Sequence, residues 1–254
     1  MLLILDVGNT NIKIGIYDNN NLTFKARIST DKFKTKDEYT IQLDSIFKVY
    51  SVSVEDIKGA IIGCVVPQIT QYLTDAIFTL TNIKPLCVGP GIKTGLNILL
   101  NNPAATGADL VASSVATIEM YPVPAIIISL GTATTISIVN SDKAMIGGLL
   151  MPGVGISLNA LSEHAALLPN ISLEAPKNII GKTTEDCMKS GSIIANAAMV
   201  DGVCDRIEAE LGQKCTVIAT GGLASTIIPS CNRDIEINDE LILLGLKYIY
   251  EKNV

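Results

Sequence analysis

Short apolar runs punctuate the chain: LLIL (2–5), KIGIY (13–17), AIIGCVV (60–66), PLCVG (85–89), AIIISL (125–130), TISIV (135–139) and TVIAT (216–220). Each is short and rich in aliphatic residues, which is the pattern of buried strands. Between several of them the period lengthens. In DEYTIQLDSIFKVY (37–50), Tyr39, Leu43, Ile46, Phe47 and Tyr50 fall on one helical face, with Gln42, Asp44, Ser45 and Lys48 between them. Ser53 with Asp56 marks a further short turn, and 70–80 reads as the next helix. LVASSVATIEM (110–120) and SLNALSEHAALLP (157–169) are helical runs as well. Strands alternating with helices predict an α/β architecture.

Composition narrows the function classes. With 48% apolar and 17% charged residues over 254 positions, the chain can bury a substantial core. Its longest uncharged stretch, 120–141, contains two prolines and a series of Ser and Thr, too polar for a spanning helix, so no membrane partner is expected. The start MLLILD has no basic leader and does not read as a signal peptide. The 19 Lys and Arg, of which only Arg27, Arg206 and Arg233 are arginines, against 25 Asp and Glu exclude a general nucleic-acid binder. Six cysteines without C-x-x-C spacing, several inside apolar runs, suggest reduced core thiols and a cytoplasmic setting. The single histidine, His164, has no cysteine near it in the chain and reads as a helix-surface residue rather than a zinc ligand.

Two segments 123 residues apart look alike. ILDVGNTNIKIGIYDNNNL from Ile4 and IISLGTATTISIVNSDKAM from Ile127 each run strand, glycine turn, strand, although the alternation slips by one residue after the glycine. Glycine lets a backbone approach an anion, and neighbouring N–H groups and hydroxyls donate to phosphate oxygens. The pair therefore reads as two related lobes with a nucleotide in the cleft between them; taken singly, each is also an ordinary hairpin. Gly221 and Gly222 follow the strand TVIAT, where close backbone approach suits an adenine or ribose, although taken alone a simple turn is the favoured reading of such a pair.

In this order, DVGNTNIKIG, NNPAATGAD, LGTATT and IATGGLA resemble the type III pantothenate kinases of the acetate and sugar kinase, Hsp70 and actin superfamily. The resemblance runs on through PGVGISLNALSEHAALLP, GKTTEDCMKSG and the terminal LGLKYIYEKN. It implies two ribonuclease-H-like lobes, with a boundary expected between 1–117 and 118–254, and ATP-dependent phosphorylation of pantothenate, the first step toward coenzyme A. By the same resemblance Asp6 would place magnesium and phosphates, Gly8, Asn9, Thr10 and Lys13 would line the first phosphate loop, and Thr132 would belong to the second. Gly221 and Gly222 would lie near adenosine. Asp109, within Gly107-Ala108-Asp109, would take the proton of the substrate hydroxyl, although by residue type alone it reads as a helix N-cap, and Asp6 as a strand-end residue.

Leu100, Gly107, Ala108, Leu110 and Thr184 fall on the implied pantothenate pocket, with Thr184 reaching substrate bound by the neighbouring subunit of a dimer. The chain departs from the family pattern where it carries Leu100 for tyrosine, Leu110 for arginine, Ser129 for aspartate and Ala195 for glycine. Ser129 occupies the implied position of a monovalent cation ligand (K+ or NH4+) and supplies no charge there. Two readings follow: an active kinase, as a homodimer, with a rearranged pocket, or a catalytically weak subunit that pairs with an intact paralogue.

Overall fold

The first apolar run forms strand β1 (Leu2–Val7), followed by β2 (Asn11–Asp18), β3 (Asn21–Ser29), α1 (Lys36–Val49), β4 (Gly59–Cys64), α2 (Pro67–Thr81) and β5 (Leu86–Cys87) in a computed structural model that describes residues 1–254. These strands build one sheet in the order β3-β2-β1-β4-β5, antiparallel through β3-β2-β1 and parallel from β1 through β5. Because side chains alternate along a strand, Leu3, Leu5 and Val7 share a face with Ile12, Ile14 and Ile16 of β2, and this face forms a core with Tyr39, Leu43 and Phe47 of α1 and Ile69, Leu73 and Ile77 of α2.

Local chemistry sets the helix ends. Thr35 and Glu38 form a reciprocal capping box at the start of α1, the Thr35 N–H donating to Glu38 Oε2 at 2.8 Å and the Glu38 N–H to Thr35 Oγ1 at 3.4 Å. The helix expected over 70–80 begins earlier, at Pro67, since proline's fixed φ and missing N–H suit the first helical position. The preceding strand ends at Cys64 rather than Val66, because Val66 serves as the N-cap of α2.

After β6 (Asn97–Ile98) and α3 (Ala108–Met120) come β7 (Ala125–Leu130), β8 (Ala133–Val139), β9 (Ala144–Pro152), α4 (Val154–His164), α5 (Thr184–Leu211), β10 (Thr216–Thr220), α6 (Ala224–Ile227), β11 (Glu236–Ile237) and α7 (Leu241–Glu251). The second sheet has the order β11-β10-β7-β8-β9-β6, so five of its strands repeat the first sheet's topology and β6 adds an edge. Its core joins Ile126, Ile128 and Leu130 of β7 to Ile193, Ala197 and Val200 of α5.

The repeat seen in the sequence is a repeat of hairpins, and the one-residue slip has a visible cause. Asp6 pairs with Lys13 in the first hairpin, and Ser129 with Thr135 in the second. The offset between hairpins is thus 123 in their first strands and 122 in their second, because the second loop is one residue shorter. Closure differs accordingly: the Gly8 N–H donates to the Asn11 carbonyl at 3.0 Å, and the Gly131 N–H to the Ala133 carbonyl at 3.1 Å.

Several expectations need correction. The chain divides into one compact unit of Met1–Leu96, Asn101–Glu119 and Leu241–Val254, and a second of Asn97–Leu100 and Met120–Glu240, so a single cut after residue 117 misassigns the end of the chain. The reason is packing. α7 lies against β1 and β4 of the first unit, and at Gly245 any Cβ would collide with the Ala112 carbonyl of α3. Of the six cysteines, all free thiols, only Cys204 is buried and Cys187 is exposed, so they are not a uniform set of core thiols. The run 157–169 is helical only as far as His164, which is exposed in the last turn of α4. No helix is long and apolar enough to cross a membrane.

Candidate active site

In both units the motif residues gather at the carboxyl ends of the parallel central strands, where open α/β sheets present ligand sites. Asp6 lies one residue before the end of β1 on the sheet face opposite the core of α1 and α2, and it is only 8% exposed. Burial pushes its carboxyl up to about 6; the Lys13 ammonium opposes the rise and the Asp109 carboxylate adds to it. The Lys13 Nζ stands 3.9 Å from Asp6 Oδ2, placed there by direct cross-strand pairing of the two residues. Beyond Asp6 the loop exposes Asn9 and Thr10 at its tip.

Asp109 occupies the first turn of α3. Burial also raises its carboxyl above the ordinary range, against the lowering effect of the Leu110 N–H, which donates to Asp109 Oδ1 at 2.9 Å. Glycine at 107 permits this fold-back: a Cβ there would lie 2.5 Å from Asp109 Oδ1 and 3.6 Å from Val65 Cγ1. Val65 in turn donates its N–H to the Val7 carbonyl at 3.0 Å, so the Gly107-Ala108-Asp109 turn is seated beside the end of β1. The structure thus brings Lys13 and Asp109 each within electrostatic reach of Asp6. Ala108 is buried, and Leu110 is half-buried next to Asp109.

In the second unit, two motifs separated by about ninety residues of sequence meet. Thr220 at the end of β10 pairs with Ser129 at the end of β7, and the Leu223 N–H donates to the Leu130 carbonyl at 3.2 Å. Gly221 has φ +101°, and a Cβ on it would come within 2.6 Å of the Leu130 oxygen, so both backbone angle and space demand glycine there. Gly222 and Thr132 are exposed at the rim of this pair of loops. Across the sheet, Thr135, Ser129 and Thr220 form one row, and the buried Thr220 hydroxyl has no hydrogen-bond partner.

The remaining residues of the implied pantothenate pocket are placed separately. Leu100 is half-buried just beyond β6. Thr184, the first residue of α5, lines a cavity of about 370 Å3 between α4 and α5 together with Val154, Leu158, Met188 and Asn196. Ala195 is exposed on α5. Two loop-contacting residues escape the sequence reading, Thr30 and Gly153. Each directly follows the third strand of its sheet, and the signal that finds them is the repeat itself, since they too are 123 residues apart.

Residues 2–206 match the family described as type III pantothenate kinase. The chain is 44% identical over 253 residues to the type III pantothenate kinase of an Exiguobacterium strain, covering 100% of this chain and 99% of that protein. It is 40% identical to the type III pantothenate kinase of Moorella thermoacetica, with full coverage of both. A solved structure of the activator of 2-hydroxyisocaproyl-CoA dehydratase from Clostridium difficile, with bound ADPNP, superimposes with a TM-score of 0.53 at 15% identity, covering 100% of this chain and 97% of that one. That likeness shows the fold, which is that of the actin-like ATPases and sugar kinases. With paired hairpin loops, a desolvated carboxylate pair and near-complete sequence coverage in agreement, the chain belongs to the type III pantothenate kinase family.

Proposed function

We infer that this protein transfers the γ-phosphoryl group of ATP to the primary hydroxyl of pantothenate, giving 4′-phosphopantothenate and ADP. The observation that carries the reading is Asp109, a desolvated carboxylate at a helix start within electrostatic reach of Asp6. Phosphoryl transfer needs a base for the attacking hydroxyl, a positioned polyphosphate and neutralised charge. Asp109 accepts the hydroxyl proton while the hydroxyl oxygen bonds to the γ-phosphorus and the bond from that phosphorus to the bridging oxygen breaks, releasing ADP. Burial raises its pKa, which makes it a better base than a solvated carboxylate.

Gly8, Asn9, Thr10 and Lys13 hold phosphate oxygens in the first loop, Thr132 does so in the second, and Gly221 and Gly222 admit the adenosine. Asp6 fits a magnesium ion: it is buried, its nearest cation is Lys13 at 3.9 Å, and burial raises its pKa, a cost of ionisation that a bound cation would offset. Magnesium bound there supplies charge neutralisation for the phosphates. The row of neutral hydroxyls at Ser129, Thr135 and Thr220 does not fit a monovalent cation held by a carboxylate, and no step of the transfer is routed through such an ion.

Leu100, Gly107, Ala108 and Leu110 form the pantothenate side, with Thr184 contributed across a homodimer. Retention of Asp6, Asp109 and both glycine loops, with full-length relatives that are kinases, favours catalysis over the role of a weak subunit completing a paralogue. In the purified protein, ADP release from ATP and magnesium should require pantothenate, and mass spectrometry should find the phosphorylated product. Asp109→Asn should lower kcat by about 10²- to 10⁴-fold with ATP binding preserved. An active Asp109→Asn protein, or ADP release indifferent to pantothenate, overturns the assignment.

A further inference from the structure

We propose that Thr30 and Gly153, the residues that leave the third strand of each sheet, are positioning residues that brace the two phosphate loops from behind. The proposal rests on the kinase reading for its ligand, while its geometry stands within each unit separately.

A turn that grips a phosphate must keep its own carbonyl oxygens turned away, because a lone pair facing an anionic oxygen repels it. In the first loop that requirement falls largely on one residue. Thr30 donates its hydroxyl to the Gly8 carbonyl at 2.6 Å and its N–H to the Thr10 carbonyl at 2.9 Å. The Gly8 N–H takes the Asn11 carbonyl at 3.0 Å. Three carbonyls of the β1–β2 turn are thus drawn into the protein, and the tip at Asn9 and Thr10 is left facing solvent. Thr30 is itself anchored, since the carbonyl of the next residue, Asp31, accepts the hydroxyl hydrogen of the fully buried Tyr39 at 2.6 Å. The brace therefore ties the loop to helix α1.

The second unit solves the same problem with different chemistry. Gly153 follows β9 as Thr30 follows β3, and its N–H donates to the Thr132 carbonyl at 3.2 Å, as the Thr30 N–H does to Thr10. It has no hydroxyl, and there is no room for one: a Cβ on Gly153 would meet the carbonyl oxygens of Thr132 and Gly131. The β7–β8 loop is one residue shorter, so it sits directly on the backbone at the end of β9, whereas the longer β1–β2 loop leaves a gap that a threonine side chain spans. Loop length and brace residue are thus matched within each unit. Gly153 is also the N-cap of α4, and its carbonyl accepts the Ser157 N–H at 2.9 Å, so this brace too is anchored to a helix.

The test separates bracing from folding and from turnover. Equilibrium titration of a fluorescent ATP analogue needs no phosphoryl transfer, so it reads the loops even if pantothenate proves to be the wrong acceptor. Thr30→Val keeps shape and N–H but leaves the Gly8 carbonyl without its donor; it should weaken ATP-analogue binding and raise KM for ATP about 3- to 10-fold, with KM for pantothenate unchanged. Thr30→Ser, which retains the hydroxyl, should recover most of that loss. Gly153→Ala should be the more damaging change, about 10- to 100-fold in ATP binding, because its methyl displaces loop carbonyls. Should Thr30→Val fail to fold, Thr30→Ala removes the same hydroxyl without adding a methyl and carries the same expectation. A lowered Tm with unchanged ATP binding and KM in a folded Thr30→Val or Thr30→Ala protein overturns the proposal, as does failure of Thr30→Ser to recover binding. Wild-type protein that binds the ATP analogue but transfers nothing to pantothenate overturns the kinase reading and leaves the brace to be judged on the titration. A wild-type chain that binds no ATP analogue overturns both.

Discussion

Asp6 answers to two opposing demands. A buried carboxylate near a second carboxylate destabilises the fold when ionised, yet an ionised carboxylate is what the magnesium site proposed above would require. Its folded pKa of about 6 exceeds the ordinary 3.8, so ionisation is disfavoured in the native state and the protein gains stability as pH falls from above about 6 toward 3.8. Asp6→Asn removes that penalty. The variant should be more stable than wild type by about 2 to 3 kcal/mol at pH 8 without ligand, and by much less at pH 4.5, while losing kinase activity. Urea denaturation at the two pH values checks it; equal stabilisation at both would assign the effect to something other than the charge. The motif shows Asp6 as a candidate because a lone acidic residue closes an apolar strand. Its perturbation is not legible there, since burial, which raises it most, is set by packing, and Asp109, which adds to the rise, lies over a hundred residues away in the chain.

Strands that begin as apolar runs are readable as elements, and those that lack a run are not. β3 is hidden although Leu22, Phe24, Ala26 and Ile28 alternate with Thr23, Lys25, Arg27 and Ser29, because an outer strand buries one side lightly and carries no continuous apolar stretch. β9 is hidden because Gly147 and Gly148 interrupt it; a Cβ at Gly148 would collide with the Ile136 carbonyl, so the glycine serves strand packing and not a turn. PLCVG shrinks to the two residues of β5 at the other edge of its sheet. The crossing of α3 and α7 depends on a further glycine. Gly245→Ala adds helix propensity worth about 1 kcal/mol, but the new methyl enters the Ala112 carbonyl. The collision should win, with a net loss of about 1 to 3 kcal/mol in chemical denaturation; a gain would mean that the two helices separate without strain.

Across the whole molecule, acid stability should reflect two buried carboxylates whose contributions depend on pH in opposite directions. Glu208 on α5 is pushed up by burial, but the Lys214 ammonium, the Cys215 N–H and the Arg233 guanidinium together hold it down at about 2. Its folded pKa lies below the ordinary 4.5, so its contribution is complete above that value and is lost as pH falls toward 2. Asp6 contributes in the opposite direction between about 6 and 3.8, so the two slopes cancel, and the stability of the ligand-free protein peaks, at about pH 4. Glu208→Gln should cost about 3 kcal/mol at neutral pH and flatten the acid side of the profile, measured by urea midpoints from pH 3 to 8. The amino-acid order by itself determined the α/β class and the hairpin repeat, because each rests on spacing within a few residues, whereas the roles expected of Asp6 and Asp109 came from the resemblance of their motifs to a known family. Only the tertiary structure decided that α7 closes the first unit, that the Gly131 and Gly221 loops adjoin, and that Thr30 and Gly153 stand behind the loops. Those outcomes depend on strand pairing and packing between segments far apart in the chain, where the space left for a side chain is set by its neighbours and not by its own sequence.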